Sequence, residues 1–130
     1  MDRTGARAAA MKLLYEWEMG GDGGEDTTLG MLDIQPDENE TEYMNALVEG
    51  VKAHAGELDA LVAQYAVGWR LERINRVDLS ILRVAIYEIT VEKLAPAVAV
   101  NEALELARTY STPEAVSFIN GVLGSLVRGL

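Results

Sequence analysis

The stretch Val77-Asp78-Leu79-Ser80-Ile81-Leu82-Arg83-Val84-Ala85-Ile86-Tyr87-Glu88-Ile89 decides the fold of this chain. Val77, Ile81, Leu82, Ala85, Ile86 and Ile89 recur three and four residues apart, which is the repeat of a helix. Apolar side chains take up so much of its circumference that neighbours must surround it, so the helix is central. Asn75, three residues before Asp78, resembles a capping box with an acid at the third position and marks the start. Pro96 separates this helix from the next.

Working toward the C-terminus, Val100, Ala103, Leu104 and Ala107 make a second helical stripe. Thr112-Pro113-Glu114 then places a cap residue, a first-turn proline and an acid in the order a helix start prefers, ahead of Val116, Ile119, Val122, Leu123 and Leu126. Working toward the N-terminus, Leu58, Leu61, Val62 and Tyr65 make a stripe that ends by Gly68, with Gly56 as a joint before it. Met44, Leu47, Val48 and Val51 make another over roughly 40–54. Thr4 is expected to cap a first helix carrying Ala6, Ala10, Leu13, Leu14 and Trp17, stopped by Gly20-Gly21. Nothing alternates with period two over a useful length. The expectation is an all-α fold of six or seven helices in one domain over 1–130, interrupted by a Gly-rich acidic loop region at about 20–39.

The chain has 130 residues, 49% of them apolar, and 11 Lys and Arg against 21 Asp and Glu, for a net charge of −10. That sign excludes a protein that coats nucleic acid or an anionic membrane by bulk attraction. Eight acids and no Lys or Arg lie between residues 21 and 45, so the rest of the molecule is near neutral and a local RNA-contacting face stays open. With no cysteine there is no disulfide framework, thiolate metal site or cysteine nucleophile, and a reducing, cytoplasmic setting is expected. His54, the single histidine, cannot alone anchor a zinc site or a Ser-His-Asp arrangement. No phosphate-cradling glycine motif, signal-peptide core or membrane span is present, and no set of residues assembles an acid, a base and a nucleophile. Neither catalysis nor a cofactor is expected.

Three stretches carry a family resemblance: Arg3-Thr4-Gly5-Ala6-Arg7 leading into Leu13-Leu14-Tyr15-Glu16-Trp17; Trp69-Arg70-Leu71 with Val77 to Glu88; and Val100-Asn101-Glu102-Ala103-Leu104-Glu105-Leu106-Ala107 followed by Phe118-Ile119-Asn120-Gly121-Val122-Leu123. In this order and spacing the chain resembles the NusB family of bacterial transcription antitermination factors. The resemblance implies an all-helical fold of two small bundles. It also implies binding of boxA RNA in ribosomal RNA leaders, jointly with the small-subunit ribosomal protein NusE, as part of the RNA polymerase antitermination complex.

Arg3 and Arg7 share a helix face by spacing, with Lys12 off to one side, and spacing alone reads them as a solvated face. The resemblance implies that this opening segment holds RNA phosphates. Gly5 stands where relatives often carry another basic residue, so unaided RNA binding is expected to be weak. Phe118, the sole phenylalanine, reads as core by itself; the resemblance places it on the RNA-facing edge, where an aromatic stacks on an unpaired base. Glu114 matches an acidic position near the RNA, able either to accept from a base edge or to favour the helix N-terminus. Ser117 and Ser111 depart from the basic residue and the glycine often found at their positions. Tyr15 and Asp78 match positions at the surface that receives NusE; by themselves they read as a core edge and a helix-start acid.

Arg70, Arg73 and Arg76 alternate with acids and read as a salt-bridged surface, with RNA contact the lesser alternative. Asn101 and Asn120 read as amides satisfied inside the packing, and Ser117, Gly121 and Ser125 as a face that another helix approaches closely. The alternative to the RNA-binding reading is a helical protein-interaction or self-association module, including a homodimer, without RNA affinity.

Overall fold

Every residue from Asp78 to Ile89 is buried, as the apolar circumference of that segment requires. A computed structural model describes residues 3–20 and 38–130. In chain order the helices are α1 (Arg3–Glu18), α2 (Glu38–Ala53), α3 (Ala55–Tyr65), α4 (Arg76–Thr90), α5 (Pro96–Tyr110) and α6 (Pro113–Arg128), with a single 3-10 turn at Leu71–Arg73 before α4. No strand occurs among the described residues. The fold is all-α, as expected. Helix α4 touches each of the other five, while α1 packs on α2, and α6 packs on α3 and α5. Met11, Leu14, Leu47, Leu58, Ile81, Ile86 and Leu123 are among the large side chains sealed in the shared core.

Local chemistry sets the boundaries. The Asn75 side chain accepts a hydrogen bond from the Val77 N–H at 2.8 Å and so caps α4. The box is not closed, because the Asp78 carboxylate accepts instead from the Ser111 hydroxyl at 2.6 Å. Thr112 caps α6 by accepting from the Ala115 N–H at 3.1 Å, with Pro113 in the first turn. Gly20 and Gly68 follow the ends of α1 and α3 with φ of +80° and +84°, the left-handed region that glycine enters without steric cost.

Several expectations are corrected. Thr4 lies inside α1 rather than capping it, and its hydroxyl donates to the Glu102 carboxylate of α5 at 3.0 and 3.1 Å. The α2–α3 break falls at His54, and Gly56 lies within α3. Asn101 and Asn120 are exposed, because they sit opposite the buried stripes of α5 and α6. Ser117 and Gly121 are exposed as well, so no described helix packs on that face. The expected loop at about 20–39 lies outside the described residues apart from its edges.

Ion pairs give the helix directions. Arg7 near the start of α1 pairs with Glu88 near the end of α4, while Glu18 at the end of α1 pairs with Arg76 and Arg83 in the first half of α4. The two helices are therefore antiparallel. Likewise Asp78 meets Ser111 at the end of α5, and Arg7 meets Glu102 in its first half, so α5 also runs against α4. The molecule thus has two distinct ends along α4.

Candidate nucleic-acid interface

At the end near Glu88, the sequence places Arg3 and Arg7 on one face of α1, and Tyr43 of α2 lies beneath both. The guanidinium of Arg3 is exposed and stacks over the Tyr43 ring at 4.5 Å from its centroid. Arg7 is only 4% exposed. Its Nε and Nη2 donate to the two carboxylate oxygens of Glu88 at 2.8 and 3.0 Å, and its Nη1 lies 3.3 Å from a Glu102 oxygen. The Tyr43 hydroxyl donates to the same Glu88 carboxylate. Burial works against the charge of Arg7, but the hydrogen bond and attraction of Glu88, with help from Tyr43 and Glu102, outweigh it and leave the pKa raised. Burial followed by the bond to Glu88 pushes the Tyr43 hydroxyl up to about 12.

The phosphate-contacting position expected for Arg7 is therefore not what the geometry offers. Its fork of donors is turned inward and used. Lys12 is half-buried and lies about 180° around α1 from Arg3, nine residues on at roughly 100° each. Arg3, Arg7 and Lys12 do not make one cationic face. Tyr15 is half-buried and packed against the core.

At the other end, the starts of α4 and α6 and the end of α5 converge on a cavity of about 270 Å³. Asp78, Ser111, Glu114, Phe118, Trp69 and Arg73 are among its lining residues. Asp78, which the resemblance assigns to a protein partner, and Glu114 and Phe118, which it assigns to RNA, thus share one cleft. The capped start of α6 puts Glu114 in its first turn and Phe118 one turn further on the same side. Asp78 is 7% exposed, and its burial raises the carboxyl pKa while the Ser111 bond partly opposes that. The Phe118 ring packs against Trp69, with centroids 5.2 Å apart and planes at 56°.

The two ends are separated. Glu88 and Asp78 lie ten residues apart on α4, or about 15 Å at 1.5 Å per residue. Arg3 is beside the first and Phe118 beside the second, so the arginines of α1 do not flank the Phe118 cleft. The cation at the cleft is another, Arg73; both it and Arg70 are exposed and form no ion pair among the described residues. The expected salt-bridged surface holds only for Arg76, whose guanidinium pairs with Glu18 at 2.8 Å and also donates to the Ile74 carbonyl. Sequence reasoning passed over Trp69 as a site residue and ranked RNA contact at Arg73 second to a salt-bridged surface. The available signal was a bulky aromatic followed by cations in a segment with no apolar stripe, between Gly68 and Asn75.

Fold and cleft together define an all-α protein built around one surrounded helix, with an aromatic cleft at one end of that helix. No helix among the described residues is long and apolar enough to cross a membrane. The chain belongs to the NusB family, whose model matches residues 4–128. It is similar to Transcription antitermination protein NusB of Acetivibrio thermocellus, with 44% identity over 132 residues covering 98% of this chain and 90% of the relative. Among solved structures it is similar to NusB of T. maritima, at 30% identity and a TM-score of 0.81, covering 98% of this chain and 92% of that one. The fold alone is shared with a chain in the crystal structure of antitermination factors NusB and NusE in complex with dsRNA, at 24% identity and a TM-score of 0.81, covering 98% and 97%.

Proposed function

We propose that this chain is a transcription antitermination factor that binds boxA RNA of ribosomal RNA leaders together with NusE. The observation that carries the reading is the family match across residues 4–128. The gathering of Phe118, Glu114 and Asp78 in one cleft supports it from the side of geometry. Its action is binding. Phe118 stacks on an unpaired base and Glu114 accepts from a base edge, while Arg3 supplies a phosphate contact at the opposite end of α4 and Lys12 one from the other side of α1. Arg7 serves this surface indirectly, by fixing α1 against α4 and α5. Tyr15 and Asp78 face NusE, where an acidic contact suits a basic ribosomal partner.

A net charge of −10 makes RNA binding by this chain alone weak, and a basic partner held alongside supplies the missing attraction through effective concentration. The test is a titration of boxA RNA with and without NusE. Binding that NusE strengthens supports the reading. Absence of binding in both arms overturns it and leaves a helical protein-interaction module.

A further inference from the structure

Trp69 and Phe118 line two hollows, not one. The cavity of about 270 Å³ on the Asp78 side adjoins a second of about 280 Å³, lined by Tyr65, Ser117, Gly121 and Val122 together with the same two aromatic residues. The rings therefore stand as a ridge between neighbouring depressions. Trp69 is 53% exposed and does not belong to the core, so its indole is presented to solvent. The second hollow owes its openness to the small residues of α6: Ser117 and Gly121 are exposed, and a Cβ on Gly121 would meet nothing within 4 Å.

We infer that this ridge is a base-stacking platform for single-stranded RNA, with Trp69 as a stacking residue and successive bases seated on its two sides. This rests on the RNA-binding reading above and adds to it a residue and a binding geometry. An aromatic face is the feature that unpaired bases recognise irrespective of sequence. The charges around it favour a nucleic acid strand over an apolar helix. Arg73 lines the hollow beside the ridge with an exposed guanidinium that has no ion-pair partner among the described residues, where a backbone crossing the ridge can put a phosphate. Within the first hollow the exposed carboxylate of Glu114 is an acceptor, which suits the amino edge of a base and repels phosphate. Bases inward and phosphates outward is the polarity that this distribution selects.

The experiment uses a boxA oligoribonucleotide with NusE present. The protein has two tryptophans, so Trp17→Phe leaves Trp69 as the only indole. Saturable quenching of its fluorescence is expected over the concentration range in which the complex forms. Trp69→Ala should weaken RNA binding by about fivefold to a hundredfold, the usual effect of removing one stacking partner. Trp69→Phe should restore most of it, and binding of NusE without RNA should be unchanged in both variants. Arg73→Ala should lower the slope of log affinity against log salt by about 0.7, one phosphate contact on a single strand. If the protein binds the RNA but the Trp69 signal does not move, or Trp69→Ala binds as tightly as the unaltered protein, the inference is overturned and the RNA-binding reading stands. If the unaltered protein with NusE binds no RNA, both fall.

Discussion

Arg7 of α1 and Glu88 of α4, 81 residues apart in the chain, form a buried two-point ion pair whose side chains are 4% and 2% exposed. Glu102 and Tyr43 complete the cluster, so three partners depend on one guanidinium. Removing one partner of such a pair leaves desolvated charge behind, which costs more than the pair itself contributes. Arg7→Ala is therefore expected to lower stability by about 3–5 kcal/mol, read from the urea midpoint at unchanged slope. Arg7→Met with Glu88→Leu should recover much of that. Arg7→Glu, an obvious probe of phosphate contact, places a third carboxylate beside Glu88 and Glu102 and reports on folding. Full stability in Arg7→Ala would contradict this account of the cluster.

The same cluster makes the protein sensitive to alkali. Burial and then the bond to Glu88 hold the Tyr43 hydroxyl at about 12, and burial and then the bond to Glu92 hold Tyr87 at about 12, against an ordinary 10.0. Both hydroxyls keep their proton longer in the folded chain than in the unfolded one. Their contribution is fully present below about pH 10 and is lost as pH rises from there toward 12. Denaturation midpoints across that window should fall, and Tyr43→Phe should flatten the fall. A slope identical to that of the unaltered protein would remove Tyr43 from the explanation.

Gly50 of α2 is required by Tyr87 of α4. A Cβ at position 50 would land on the Tyr87 ring, and that ring is held by its hydroxyl, which donates to Glu92 at 2.8 Å. Gly50→Ala gains helix propensity yet is expected to destabilise by about 1–3 kcal/mol through overpacking. Pairing it with Tyr87→Leu should show strong non-additivity in a double-mutant cycle. Additive effects would mean that the two side chains do not compete for space.

The helices were legible because their signals are local. The stripe from Val77 to Ile89 and the caps Asn75 and Thr112 each lie within a few residues of what they determine. The fate of Arg7 was not legible, since its partners stand 81 and 95 residues further along the chain and only the antiparallel packing of α1, α4 and α5 brings them together. A hint was present: Arg7 lies within Ala6 to Met11, a run of small and apolar residues that is buried throughout. Phe118, Glu114 and Asp78 were found through resemblance, and their meeting in one cleft needed the fold. Trp69 was missed because a residue outside any helical stripe has no period to betray its role.

The central claim, that RNA sits at the end of α4 bearing Asp78 and Phe118, is tested most directly by mapping backbone amide NMR shifts as boxA RNA is added to the complex with NusE. The account predicts that the largest RNA-dependent changes fall on residues 69–78 and 111–118. Changes confined to the α1 segment around Arg3, with residues 111–118 unmoved, would contradict it.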